Sequence, residues 1–594
     1  MSVRRMSAVA TLGVGALVAL AACGGSGSGP TASSSTSGTA SAFNAAITSV
    51  VNPSSKTGGT LKLSATGDCD SWDGANMYYA WCWDMSRLYM RTLMAYQSKP
   101  GPTKVVPDLA TAAGQHDADF KTWTYHIRPG VKWQDGTPVT SADVKYGIER
   151  LFATDVFATG PGFYYTCLLD TCDKNGTPAY TGPYKDPSGS LSTIDTPDAS
   201  TIVFHLNQST PTFDYLMALP ASAPVKKSAD TGKSYTNHVL SDGPFKFSTY
   251  SPGKSATWVR NPMWSQSTDP VRTPKVDTIT LTIFANPDDA DQRLKVGDID
   301  LEADGGVQAT LQTEIEANPA MKKYSDNPST GFTRYLVVFQ TVAPLTNVDC
   351  RKAVFYAINK SDLLLARGGT SAGTIASSMT PPGIPGYQSA ADYDPYPDGT
   401  DNTGDLTTAK QELQKCGHPN GFTLKMAYVP GGKADKVLAA TQNALKRIGI
   451  TVTPLPGEQA SYYSTFIGAP ANIVNKGIGL AQAAWGPDFP TVQGFYQNIA
   501  SGGAIKPSGT SNYASLNDPA VNSAIDQSGQ TTDQSKLEQL GQTINHGVMD
   551  SAVYLPYVWD SAFYYRNPRL TNVYLTPGTG FYYDYVNIGV DDGK

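Results

Sequence analysis

Short stretches of alternating apolar and polar residues recur along this chain, separated by turn signals. The segment Gly58-Gly59-Thr60-Leu61-Lys62-Leu63-Ser64 alternates with the period of a half-buried strand. So does Thr122-Trp123-Thr124-Tyr125-His126-Ile127-Arg128, which meets a turn at Pro129-Gly130 and a second at Asp135-Gly136-Thr137-Pro138. Thr140 then stands where an N-cap belongs, and Val144, Ile148 and Leu151 fall on one face of the helix that follows. Further strands are predicted over residues 201–206 and at Phe245-Lys246-Phe247, after a turn at Asp242-Gly243-Pro244. Residues 351–366 carry a helical period through Val354, Ile358 and Leu365. Residues 436–448 carry another, ending at Gly449, with strand patterns at 423–428 before and 450–452 after. That last unit reads as strand, helix, strand and implies a parallel or mixed sheet, so the fold class is α/β.

The N-terminal pattern is different. Arg4 and Arg5 precede an uncharged apolar run over residues 6–22, too short and too rich in small residues to span a bilayer comfortably. It reads as a signal peptide over residues 1–22. Its end, Leu20-Ala21-Ala22-Cys23-Gly24, resembles the bacterial lipobox, which implies cleavage and lipidation at Cys23. Residues 24–57 are almost wholly Gly, Ser, Thr, Ala and Pro, so residues 23–57 are expected to be a lipid-anchored flexible linker.

Composition narrows the function. The chain has 594 residues and a net charge of −6, and it becomes more acidic once the two leader arginines are removed. A mildly acidic chain without basic runs argues against nucleic acid as a partner. The length beyond the linker exceeds what one hydrophobic core supports, so two or three lobes are expected. The 32 Tyr and 9 Trp offer rigid contact area with polar tips, which suits a ligand-lined cleft. Beyond Cys23 the cysteines are even in number, which in an exported protein suggests disulfides. Proximity favours Cys69–Cys82 and Cys167–Cys172, leaving Cys350–Cys416. The rival metal reading is weak, because Cys167 and Cys172 lack the C-x₂-C spacing and a neighbouring His. No metal or cofactor is expected. An enzyme is disfavoured as well: none of the six His sits in a recognisable catalytic setting, and there is no G-x-S-x-G elbow or H-E-x-x-H pair.

The segment Trp123-Thr124-Tyr125-His126-Ile127-Arg128-Pro129-Gly130-Val131-Lys132-Trp133-Gln134-Asp135-Gly136-Thr137-Pro138, running on to Ala142-Asp143-Val144-Lys145-Tyr146, resembles the signature of the family 5 extracellular solute-binding proteins of ABC importers. Supporting similarities lie at Gly243-Pro244-Phe245-Lys246 and at residues 349–363, 444–450 and 485–495, in family order. The resemblance implies a periplasmic-binding-protein-like fold of two hinged lobes with a smaller extra domain. On that reading lobe I is discontinuous over residues 58–105, 236–330 and 562–594. The extra domain takes residues 106–235, and lobe II residues 331–561. It also implies a monomer that captures oligopeptides or dipeptides between its lobes and presents them to the permease subunits of an ABC transporter. Other solutes known in the family, an oligosaccharide, a nickel chelate or haem, stay open, as does a role as a receptor for a peptide signal.

The same resemblance points to ligand contacts. In peptide-binding relatives the loop matching Ala484-Trp485-Gly486-Pro487-Asp488-Phe489-Pro490 carries an aspartate that pairs with the peptide's α-ammonium group. By this resemblance Gly486 holds that position and Asp488 follows two residues later, so either Asp488 takes the role on a re-shaped loop or the anchor is absent. Trp485 and Phe489 flank it. Asn76, Tyr78 and Tyr79 match a first-lobe loop that reaches the cleft. Arg334 and Tyr335 stand near the expected lobe crossing, where an arginine suits a ligand carboxylate or an inter-lobe ion pair.

Overall fold

A computed structural model describes residues 41–592 apart from 102, 174–175, 577 and 579. The expected signal peptide, Cys23 and the linker up to residue 40 lie outside the described residues.

Three sheets organise the chain, each with its own core. The first has five strands in the order Leu301–Glu302, Thr60–Ala65, Thr278–Ile283, Ser255–Arg260 and Phe245–Ser251. Thr60–Ala65 runs parallel to both of its neighbours, and its alternation buries Leu61 and Leu63. The second has six strands, ordered Gly373–Ile375, Tyr554–Ser561, Ser329–Val338, Ile478–Trp485, Thr423–Tyr428 and Thr451–Pro456. Within it Thr423–Tyr428, the helix Gly432–Lys446 and the parallel strand Thr451–Pro456 form the expected strand-helix-strand unit. The third sheet is antiparallel, with strands Gln115–His116, Thr122–His126, Thr201–His205 and Ile194–Asp198.

The signature segment belongs to this third body. Trp123, Tyr125, Ile127, Val131 and Trp133 are all in its core, and Thr140 and Asp143 cap the helix Ser141–Arg150 reciprocally. This is the two-lobed periplasmic-binding-protein architecture with an extra domain. The chain crosses between the lobes at residues 326–329 and again at 561–564, and the crossings pair side by side, Ser325 against Tyr565 and Asp326 against Tyr564.

Two expectations are corrected. Residues 351–366 are not one helix: Val348–Ala357 and Lys360–Arg367 are separated at Ile358, whose backbone is extended. The side chain of Asn359 accepts from the Asp362 amide, and this local cap starts a new helix inside a continuous apolar period. Residues 41–57 are not a free tether either. They include a short helix, Ala45–Thr48, with Ala46 fully buried, and Val51 exchanges backbone hydrogen bonds with Val573. Small polar composition hid this contact, because backbone and asparagine groups make most of it.

The described cysteines pair as Cys69–Cys82, Cys167–Cys172 and Cys350–Cys416, with Cα separations of 5.9, 5.4 and 5.3 Å. The first bridge ties the loop after Thr60–Ala65 to the helix Ala80–Ser86.

Candidate functional site

The parallel strands of the first sheet end at a cavity of about 910 Å³ lined from all three bodies. Ligand sites in open α/β sheets lie beyond the carboxyl ends of the strands, and this volume is within the range of small-ligand pockets. Thr66 follows the first strand and Asp304 follows Leu301–Glu302. Asp304 accepts from the Thr66 amide at 2.7 Å and hydroxyl at 2.5 Å. Asp70 accepts the Tyr78 amide at 2.6 Å, and burial pushes its carboxyl up to about 7 against that bond.

Asp488 joins the three bodies. It lies just beyond the strand Ile478–Trp485, on the loop leading to the helix Val492–Ala500, whose N-cap is Thr491. Its amide donates to the Gly494 carbonyl at 2.9 Å, which folds the loop back on that helix. Its carboxylate accepts from Tyr78 of the first lobe at 2.7 Å and from Tyr164 of the extra domain at 2.8 Å. Burial raises its carboxyl to about 7, and the two tyrosine hydroxyls draw it partly back. Both donors are neutral. Asp488 lines the cavity without a cationic partner among the described residues, so it is not the solvated turn residue that two flanking prolines suggest.

Neighbouring residues complete this end. The Trp485 indole donates to the Phe495 carbonyl at 2.7 Å and its ring stands 6.0 Å from that of Tyr78. Phe489 reaches into the extra-domain core and stacks on Tyr215 at 5.8 Å. A Cβ at Gly486 would come within 2.5 Å of the Phe332 ring, so this position takes no side chain while Phe332 is in place. The ring that fills the space at 486 comes from the strand Ser329–Val338, and the carboxylate of this loop stands two residues later at Asp488. Asn76 lines the cavity, yet its side-chain oxygen accepts from the Thr159 amide and hydroxyl. Tyr79 bridges the lobes through a hydrogen bond to the Gln459 carbonyl at 3.3 Å.

Arg334 lines the cavity and donates to Asp560 at 3.0 and 3.1 Å, while Arg367 reaches the same carboxylate at 3.2 Å. Burial works against the Asp560 charge, but the two guanidiniums outweigh it and hold the carboxyl below its ordinary range. Two cations on one anion leave positive charge at the cavity wall. Tyr335 corrects the expectation: it is fully buried against Tyr554 and does not line the cavity. Arg334 and Tyr335 are adjacent on a strand, so their side chains leave opposite faces. Tyr164 and Phe332 were missed. Tyr164 belongs to the extra domain, and nothing in its local sequence marks it as a partner of Asp488.

Residues 104–507 match the model of the bacterial extracellular solute-binding proteins, family 5. Over 483 residues the chain is 24% identical to the glutathione-binding protein GsiB of Escherichia coli O6:K15:H31, covering 78% of this chain and 83% of that one. Over 486 residues it is 24% identical to the oligopeptide-binding protein OppA of Bacillus subtilis, covering 78% and 81%. Among solved structures, clavulanic acid biosynthesis oligopeptide binding protein 2 superposes with a TM-score of 0.84 at 39% identity, over 93% of this chain and 99% of that one. The DppA protein of Helicobacter pylori, in complex with the peptide STSA, superposes with a TM-score of 0.74 at 19% identity, over 90% and 99%. The chain belongs to the family 5 extracellular solute-binding proteins, the substrate-binding components of ABC importers.

Proposed function

We propose that this protein is a lipid-anchored, exported receptor that captures oligopeptides or dipeptides between its lobes and delivers them to the permease of an ABC importer. Several relatives support a peptide. One is an oligopeptide-binding protein, one a glutathione-binding protein, and one a periplasmic binding protein in complex with the peptide STSA. The observation that carries the reading is Asp488, a buried carboxylate facing a cavity with only neutral donors on it. A peptide α-ammonium supplies the missing cation, and Arg334 offers charge for a ligand carboxylate. Because Tyr78, Tyr164 and Asp488 come from three bodies, a ligand that fills this junction favours the closed form. Trp485, Phe489 and Tyr79 are then walls around the guest, with Gly486 between them backed by the Phe332 ring.

Mass spectrometry of material extracted from denatured protein tests the reading. A mixture of short peptides is expected; a single sugar, haem or metal chelate would replace peptide as the cargo. For the anchor, Cys23→Ala should release the protein into the medium, and continued membrane retention would remove Cys23 from that role.

A further inference from the structure

Residues 41–54 cross the molecule at the place where the lobes are joined. The Asn44 amide donates to the Ser325 carbonyl at 3.0 Å, and its side-chain oxygen accepts the Asn327 amide at 2.7 Å. The Ala46 amide donates to Asp326 at 3.0 Å, a fully buried carboxylate that also takes the Tyr583 hydroxyl at 2.7 Å and pairs with Arg566. The Phe43 ring lies 6.2 Å from that of Phe563, on the second crossing. Farther on, Asn52 donates to the Leu570 carbonyl at 3.2 Å, and the Ser54 amide donates to Asn572 at 2.9 Å. Both crossings and the C-terminal segment are therefore stitched to one N-terminal stretch. Between the stitches, half-buried Ile47 lines the ligand cavity, as do Gly331 and Phe332, which follow the first crossing, and Phe581.

We infer that residues 41–54 are a strap across the hinge, and that Ile47 closes the hinge end of the ligand cavity and limits the size of the ligand group lodged there. This rests on reading the cavity as the ligand site. A strap that is hydrogen-bonded to one crossing and packed on the other restricts their relative rotation, and an apolar side chain at the end of a cleft sets its length by volume exclusion. The strap also has a sequence mark: Asn44 and Asn52 both hold left-handed backbone, with φ of 64° and 48°.

Two sets of variants test it. Isothermal titration with trialanine, tetraalanine and pentaalanine should show Ile47→Trp weakening the longest peptide bound by wild type about ten-fold or more, since such a loss is about 1.4 kcal/mol. Ile47→Ala should move the preferred length upward. An unchanged length profile in both variants would overturn the role of Ile47. Wild type binding none of these peptides would instead count against the peptide reading. The clamp is then tested without ligand by Asn44→Gly/Asn52→Gly, which keeps the left-handed backbone and removes the side-chain bonds. Amide exchange over residues 325–329 and 561–565 should rise about ten-fold, as local opening becomes easier. Unchanged exchange in a folded variant would overturn the strap.

Discussion

Asp488 can hold an ammonium group only after it has lost its proton. Burial where the lobes meet raises its carboxyl to about 7, so below that pH a bound cation must displace a proton. Peptide affinity should therefore fall about ten-fold for each unit below pH 7, in the limit where this one group controls binding. Titrations between pH 5 and 8 read the slope directly, and a flat profile would exclude Asp488 as the anchor. Stability of the folded, closed protein has the opposite sign. A carboxyl raised from 3.8 contributes stability that is present at low pH and lost as pH rises through about 7, and Asp70, Asp242 and Asp488 all share that direction. The thermal midpoint should accordingly rise as pH falls from 8 to 5. Asp488→Asn should weaken a peptide with a free amino end by roughly 2–3 kcal/mol, a buried charge losing its partner. The N-acetylated peptide should lose far less, and equal losses would argue against the pairing.

Among elements, caps and cross-links decide more than periodicity does. The apolar period through residues 351–366 passes over a helix break because Asn359 caps locally, a preference that an apolar period does not record. The bridge Cys350–Cys416 closes a loop with a sequence separation of 66 and joins the first of these helices to the end of the helix Leu406–Lys415. In the chain-entropy model its loss costs about 4 kcal/mol. Urea denaturation of Cys350→Ala/Cys416→Ala should show a fall of that order, against a smaller one for Cys167→Ala/Cys172→Ala, whose loop has a separation of 5. Comparable losses for the two pairs would mean that local strain or packing, and not loop length, governs them.

At the scale of the molecule, closure is recorded in contacts that belong to no single lobe. Phe489 leaves the second lobe and packs in the extra-domain core, and the Asp488 carboxylate takes donors from the two other bodies. Such contacts form only when the lobes meet. Small-angle scattering should show a smaller radius of gyration when peptide is added to ligand-free protein, with Asp488→Asn shifting the response to higher peptide concentration. A particle whose size is indifferent to ligand would be incompatible with hinged capture. The strap at residues 41–54 bears on the same motion, since it is hydrogen-bonded to the first crossing and packs a ring against the second.

By itself the sequence determined the α/β class, the strands expected over 58–64, 122–128 and 423–428, the capped helix from Ser141, and the family through residues 123–146. These follow from local period and local capping, which neighbouring residues encode. Only the tertiary structure decided that Asp488 faces the cavity and that the ring of Phe332, more than a hundred residues away, packs on Gly486. It also decided that Tyr164 completes the site, that Tyr335 turns away from it, and that a stretch resembling linker is part of the hinge. Each of these depends on contacts between segments distant in the chain, and local pattern carries no information about such distances.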